Sequence, residues 1–117
     1  MLRKTTSPVT FDFAREGGSI ILARVDIWKA NVDGWELKAS NEFKDAVKSN
    51  ESAKLPLPEG SYTGIFQCFV QESLNGRYSF ELSVGGKATF LDKGDVNTTT
   101  AKDDTKVFKD QFIVEVK

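Results

Sequence analysis

Histidine is missing altogether from the 117 residues. With it go His-based general acid/base catalysis, Ser-His and Cys-His nucleophile pairs, His-containing zinc sites and a near-neutral histidine switch. Cysteine is almost as scarce: Cys68 is the only one, so no intramolecular disulfide can form. It stands in the apolar run Phe66, Phe69 and Val70 and reads as a buried structural thiol. A fold without a covalent staple is the habit of a reducing compartment. The stretch Met1 to Pro8 has basic residues with no apolar run behind them and does not read as a secretory signal, which favours the cytoplasm but does not fix the location. No apolar stretch approaches the roughly 20 residues of a membrane helix. An excess of one charge is lacking too. Sixteen basic residues face seventeen acidic ones, for a net charge of −1. No basic run of the kind that reads a phosphate backbone occurs, so neither nucleic acid nor membrane is expected as a partner.

What is present is a balance of 39% apolar and 28% charged residues, enough for one core and one domain spanning residues 1–117. The apolar residues follow a period of two. Val9, Phe11 and Phe13 alternate with Thr10 and Asp12. From Ile20 to Trp28, Ile21, Ala23, Val25 and Ile27 share one face, and Leu22, Arg24, Asp26 and Trp28 the other. Trp35, Leu37 and Ala39 resume the alternation after the turn Asn31 to Gly34. Tyr62, Gly64, Phe66, Cys68 and Val70 form another stripe, followed by Tyr78, Phe80, Leu82 and Val84, by Ala88 and Phe90, and by Phe108, Phe112, Val114 and Val116. One segment breaks the habit. Phe43, Ala46 and Val47 recur at helical spacing behind the caps Ser40 and Asn41, which predicts a short helix near Asn41 to Lys48.

Turn chemistry extends the reading to register. A three-residue loop Leu74-Asn75-Gly76 would pair Val70 with Phe80, Cys68 with Leu82 and Phe66 with Val84, keeping every partner apolar. Val84-Gly85-Gly86, with Gly86 left-handed, would pair Leu82 with Ala88 and Phe80 with Phe90, giving a three-stranded meander. The expected fold is all-β: an antiparallel β-sandwich of seven or eight strands, immunoglobulin-like or jelly-roll, with at most one short helix. The eight residues from Leu55 to Tyr62, with two prolines, a glycine and a tyrosine, resemble the start of a strand common in immunoglobulin-like and prealbumin-like sandwiches. The immunoglobulin Cys, Trp, Cys spacing is absent, because there is one cysteine.

Three sets of residues stand out as candidate sites. Trp28 and Trp35 flank the turn holding Asn31 and Asp33, a combination that offers an apolar ring face and polar groups to a carbohydrate. Asp92, Asp95, Asn97, Asp103 and Asp104 supply hard oxygen ligands within one loop, which makes calcium the one cofactor the sequence suggests, although Lys93 and Lys102 stand among them. Leu22, Trp28, Ile65, Phe69, Leu91 and Ile113 lie opposite the main apolar stripe of their strands. A single core does not need them, so Ile65, Phe69 and Ile113 are candidates for an interface. Carboxylates are plentiful, but they sit on alternating strand faces or in loops, so no enzyme is expected. The expectation is a non-catalytic binding module acting through end loops or an apolar sheet face on a carbohydrate or protein. The competing expectation is an assembly subunit of a homo-oligomer or larger complex.

Overall fold

The computed structural model describes residues 2–17, 19–44, 50–71, 77–95 and 105–117. Nine strands and no helix occur among them: β1 (Leu2–Thr5), β2 (Val9–Gly17), β3 (Ser19–Asn31), β4 (Gly34–Glu42), β5 (Asn50–Leu55), β6 (Gly60–Gln71), β7 (Arg77–Val84), β8 (Lys87–Asp95) and β9 (Thr105–Val116). They form a five-stranded sheet in the order β1-β9-β6-β3-β4 and a four-stranded sheet in the order β5-β2-β7-β8. Every pairing is antiparallel except one, because β1 runs parallel to β9.

The two sheets pack through the faces that the period-two pattern marks as apolar. Val9, Phe11 and Phe13 of β2, Ala23, Val25 and Ile27 of β3, and Phe66, Cys68 and Val70 of β6 are all buried. The centre is aromatic. Phe66 and Phe80 face each other across the core with ring centroids 6.0 Å apart, and Phe13, Phe90 and Phe108 surround Phe66 within the same distance. Eight of the nine phenylalanines belong to this cluster or pack on it, and Phe69 is the exception.

Several expectations are corrected. The meander of β6, β7 and β8 does not form. Val70, Cys68 and Phe66 pair with Lys106, Phe108 and Asp110 of β9, while β7 pairs with β2 and β8 in the other sheet. The stripes of β6 and β7 do meet, but across the core rather than side by side. The loop Leu74-Asn75-Gly76 lies outside the described residues. In the β7–β8 hairpin Gly85 (φ 59°) and Gly86 (φ 81°) are both left-handed and make a two-residue loop that pairs Val84 with Lys87 and Ser83 with Ala88, and a register shift then pairs Leu82 with Phe90 and Phe80 with Asp92. The register shift beyond it leaves Thr89 as an extra, buried residue of β8.

The helix expected near Asn41 to Lys48 is overturned in its first part. Asn41 and Glu42 end β4, and Phe43 donates its backbone N–H to the Ala23 carbonyl at 2.8 Å and stacks on Phe13 at 5.1 Å. Burying that ring against the open end of the core wins over a helical turn. Residues 45–49 lie outside the described residues.

Two side chains close the ends. Arg3, from β1 at the edge of one sheet, donates from Nε to Thr89 Oγ1 (2.9 Å) and from Nη2 to the Ala88 carbonyl (2.6 Å) on β8 at the edge of the other. Tyr62 donates its hydroxyl to the Pro58 carbonyl at 2.6 Å under the Lys29 ammonium, which lies 4.8 Å from the ring centroid.

Candidate functional site

The outer faces of the two sheets differ in chemistry. On the four-stranded sheet Asp12, Ser52, Lys54, Glu81 and Ser83 dominate, with Ser52 hydrogen-bonded to Asp12. A dent of about 530 Å³ there is lined by polar strand residues such as Glu16, Ser79 and Glu81, with Ala14 and the exposed Leu91. The outer face of the five-stranded sheet is apolar to an extent that the register makes plain. Leu2 pairs with Ile113, Ile113 with Thr63, Thr63 with Trp28 and Trp28 with Leu37, so one row crosses all five strands. Next to that row, Ile65 stands beside Asp26 and Gln111, and Trp35 beside Ala30. A groove of about 400 Å³ opens between Trp28, Trp35, Thr63, Ile65 and Gln111.

Local sequence explains why both indoles reach this groove. β3 and β4 form a hairpin whose tip is Asn31 to Gly34, and Trp28 and Trp35 lie on the same face below it. A register shift between Ile27 and Trp28 then leaves Lys38 unpaired on β4. Trp35 and Leu37 therefore face outward, while Ala39 faces the core opposite Ile27. Trp35 remains 62% exposed and Trp28 is half-buried.

The candidate residues divide accordingly. Trp28 and Trp35 come together. Asn31 does not join them, because its Oδ1 accepts the Asp33 backbone N–H at 2.9 Å and closes the turn, and Asp33 stays exposed at the tip. Ile65 and Ile113 flank the groove on β6 and β9, and Phe69 lies farther along β6 between Leu22 and Val107. Leu91 lies on the other sheet, away from this face. Leu2, Leu37 and Val107 are members of the face that the sequence pattern does not reveal.

Between the Phe69 row and the Ile65 row runs a polar strip. Arg24 donates to Asp26 at 2.8 Å and lies 3.7 Å from Glu42 across the strand pair. Asp26 is 7% exposed, and its hydrogen bond and charge hold the Arg24 guanidinium above its ordinary pKa. Lys44, nearly free in solvent, reaches Glu42 at 3.7 Å. Gln67 and Lys109 continue the strip on β6 and β9.

Of the acidic loop set only Asp92 and Asp95 fall among the described residues. Asp92 Oδ2 accepts the Tyr78 hydroxyl at 2.9 Å, Asp95 ends β8, and Asn97, Asp103 and Asp104 lie outside the described residues. No group of three potential metal ligands converges among the described residues. Cys68 is buried in the core, and desolvation first, then the Asp92 charge, push its thiol up to about 12 against the opposing pull of Arg15. No helix among the described residues is long and apolar enough to cross a membrane. Compared with protein-family models, with curated proteins and with solved structures, the chain has no match.

Proposed function

We propose that this protein is a non-catalytic β-sandwich module that binds through the outer face of its five-stranded sheet, with a protein surface as the preferred ligand. The observation that carries the reading is the row Leu2, Ile113, Thr63, Trp28 and Leu37, which crosses five strands and is apolar except at Thr63, beside the exposed indole of Trp35. Water disfavours the apolar part of such a surface by roughly 25 cal/mol for each Å² left exposed, and the other sheet carries no comparable row among the described residues. Two polar groups, from Thr63 and Gln111, are few for a sugar, whose hydroxyls need several partners, and many enough for the rim of a protein contact. Carbohydrate is the second reading, favoured by the paired indoles alone. A non-catalytic role is supported by the lack of histidine and by a sole cysteine held as the neutral thiol.

The order β9-β6-β3-β4 follows the G-F-C-C′ order of immunoglobulin variable-type sheets, whereas the β7–β8 hairpin, inserted between β6 and β9 in sequence, departs from that topology.

Trp28 and Trp35 are the only tryptophans in the chain and both line the groove, so intrinsic fluorescence reports on it without interference. A ligand of this face should shift the emission, and Trp35→Ala should weaken its binding. Partners or glycans that bind with unchanged emission and full affinity for Trp35→Ala would place the working surface elsewhere.

A further inference from the structure

We infer that the occupant of this face is a second copy of the chain, packed outer face to outer face about a two-fold axis that runs along β6; the inference rests on the outer-face reading above. An isologous contact requires a surface that complements itself across the axis, so that each off-axis position meets its mirror position. The sheet order places β6 in the middle, with β9 and β1 on one side and β3 and β4 on the other. A two-fold along β6 therefore lays β9 over β3 of the partner copy and β1 over its β4.

At equal height this brings Ile113 to Trp28, Leu2 to Leu37 and Val107 to Leu22, apolar against apolar in each case. Thr63, Ile65 and Phe69, on the axis, meet their own copies. An axis inclined by about 15° to β6 gives the offset of about 30° usual between packed sheets, which displaces the outermost pairs most and those next to β6 least.

Charge and area agree with this arrangement. The one cation of β9 on this face at the height of the polar strip is Lys109, and its mirror position is Arg24. Arg24 is held at 2.8 Å by Asp26, and Glu42 lies 3.7 Å from both Arg24 and Lys44, so Lys109 of the other copy meets a cluster without net charge and is not repelled. Over the eight-residue rise from Val107 to Glu115 the face is four strands wide, about 14 by 27 Å, and β1 adds a fifth strand only from Ile113 onward. That is on the order of 400 Å² in projection, about half of the roughly 800 Å² that each partner of a stable interface buries, which suits a weak dimer. The β4 edge is a poorer route to a dimer. Edge-to-edge pairing about Glu36 sets Glu36 against itself, and pairing about Leu37 sets the outward Trp35 against the inward Ala39.

Sedimentation velocity of the full chain between about 1 and 100 µM should show a monomer–dimer equilibrium, with Trp emission shifting to longer wavelength on dilution. Ile65→Asp puts two carboxylates on the axis and should weaken the dimer by about a hundredfold while circular dichroism and the urea midpoint report a folded protein. The axis is tested separately with a short bis-maleimide, the buried Cys68 being inaccessible in the native fold. Ile65→Cys should cross-link to itself, Leu22→Cys alone should not, and an equimolar mixture of Leu22→Cys and Val107→Cys should. A monomer throughout the range overturns the inference, as does a dimer indifferent to Ile65→Asp, or Leu22→Cys cross-linking to itself as readily as Ile65→Cys. If the chain is monomeric and another ligand still shifts Trp emission, the second copy is refuted and the binding face survives; a dimer formed without any emission change has its contact elsewhere and refutes the second copy on this face, and the binding face falls only if no other ligand shifts the emission either.

Discussion

Replacing Gly64 by alanine is the sharpest test of the packing described above. Gly64 faces the core from β6, beside Ile27 of β3 and Phe112 of β9. A Cβ added there would lie 2.3 Å from Phe112 Cζ and within 2.7 Å of both Cε atoms, so the ring occupies the space that a side chain would need. Restoring ordinary contact requires about 1 Å of movement by Phe112, which is 1% exposed and packs edge-on against Phe11 (6.4 Å) and Phe90 (5.6 Å). Close-packed walls of this kind do not yield by that distance without strain. Overpacking costs about 1–3 kcal/mol, and the walled ring puts Gly64→Ala at the upper end. The loss of unfolded-chain entropy returns at most about 1 kcal/mol, leaving a net destabilisation of about 2 kcal/mol. With a urea m-value of about 1–3 kcal/mol/M, the midpoint should fall by about 1 M. Phe112→Leu in the same chain should relieve the clash, so that the double variant loses less than the two single losses combined. A Gly64→Ala midpoint indistinguishable from the parent, or strict additivity with Phe112→Leu, would refute the reasoning.

Three further expectations follow from the described contacts. Arg3→Ala removes the hydrogen bonds that tie β1 to β8 and should cost about 1 kcal/mol, or about 4 °C in a melting scan, with Arg3→Lys recovering little because an ammonium cannot span both acceptors; an unchanged melting point would show the tie to be idle. Cys68 has a folded pKa raised from 9.0 to about 12, so its contribution to stability is complete below the unfolded value and is lost as pH rises from about 9 towards 12; the parent should lose stability over that window more steeply than Cys68→Ala, and equal slopes would contradict the assignment. Phe69→Asp should leave the fold intact, because Phe69 is half-buried on the outer face, whereas Phe66→Asp, three residues away in the core, should unfold it; both variants unfolding in urea-free buffer would place Phe69 in the core.

Period two says which face a residue takes and is silent on which strand lies beside it. That is why the inner stripes were legible and the pairing of β6 with β7 was not. Phe66 and Phe80 satisfy the apolar requirement equally well as neighbours in one sheet or as opponents across two, and the structure has them opposed at 6.0 Å. β1 and β5 escaped for a different reason. Leu2-Arg3-Lys4-Thr5 has no apolar alternation, since its inward side chain is the Arg3 guanidinium that reaches β8. β5 is an edge strand whose inward residues, Glu51, Ala53 and Leu55, hide among Asn50, Ser52 and Lys54. Phe43 misled through spacing alone: a lone aromatic after a strand can cap the core without continuing into a helix.

The outer face shows where reading by strand succeeds and where it stops. Leu22, Trp28, Ile65, Phe69 and Ile113 are recognisable because each breaks the polar half of a strong alternation. Leu37 is disguised by the bulge at Lys38, which exchanges the faces of β4 between Leu37 and Ala39, so that an unbroken Trp35, Leu37, Ala39 stripe in sequence becomes two outward residues and one inward. Val107 is hidden beside the core residue Phe108, and Leu2 becomes visible only once β1 is seen to run parallel to β9. Each omission depends on a partner strand. A row perpendicular to the strands, from Leu2 to Leu37 and apolar except at Thr63, draws one residue from each of five strands that span the chain from Leu2 to Ile113. No window along the sequence contains it. The same property makes the row informative about function, because folding demands apolar residues only on the face turned to the other sheet, and a second row assembled across every strand of the outer face answers no requirement of the core.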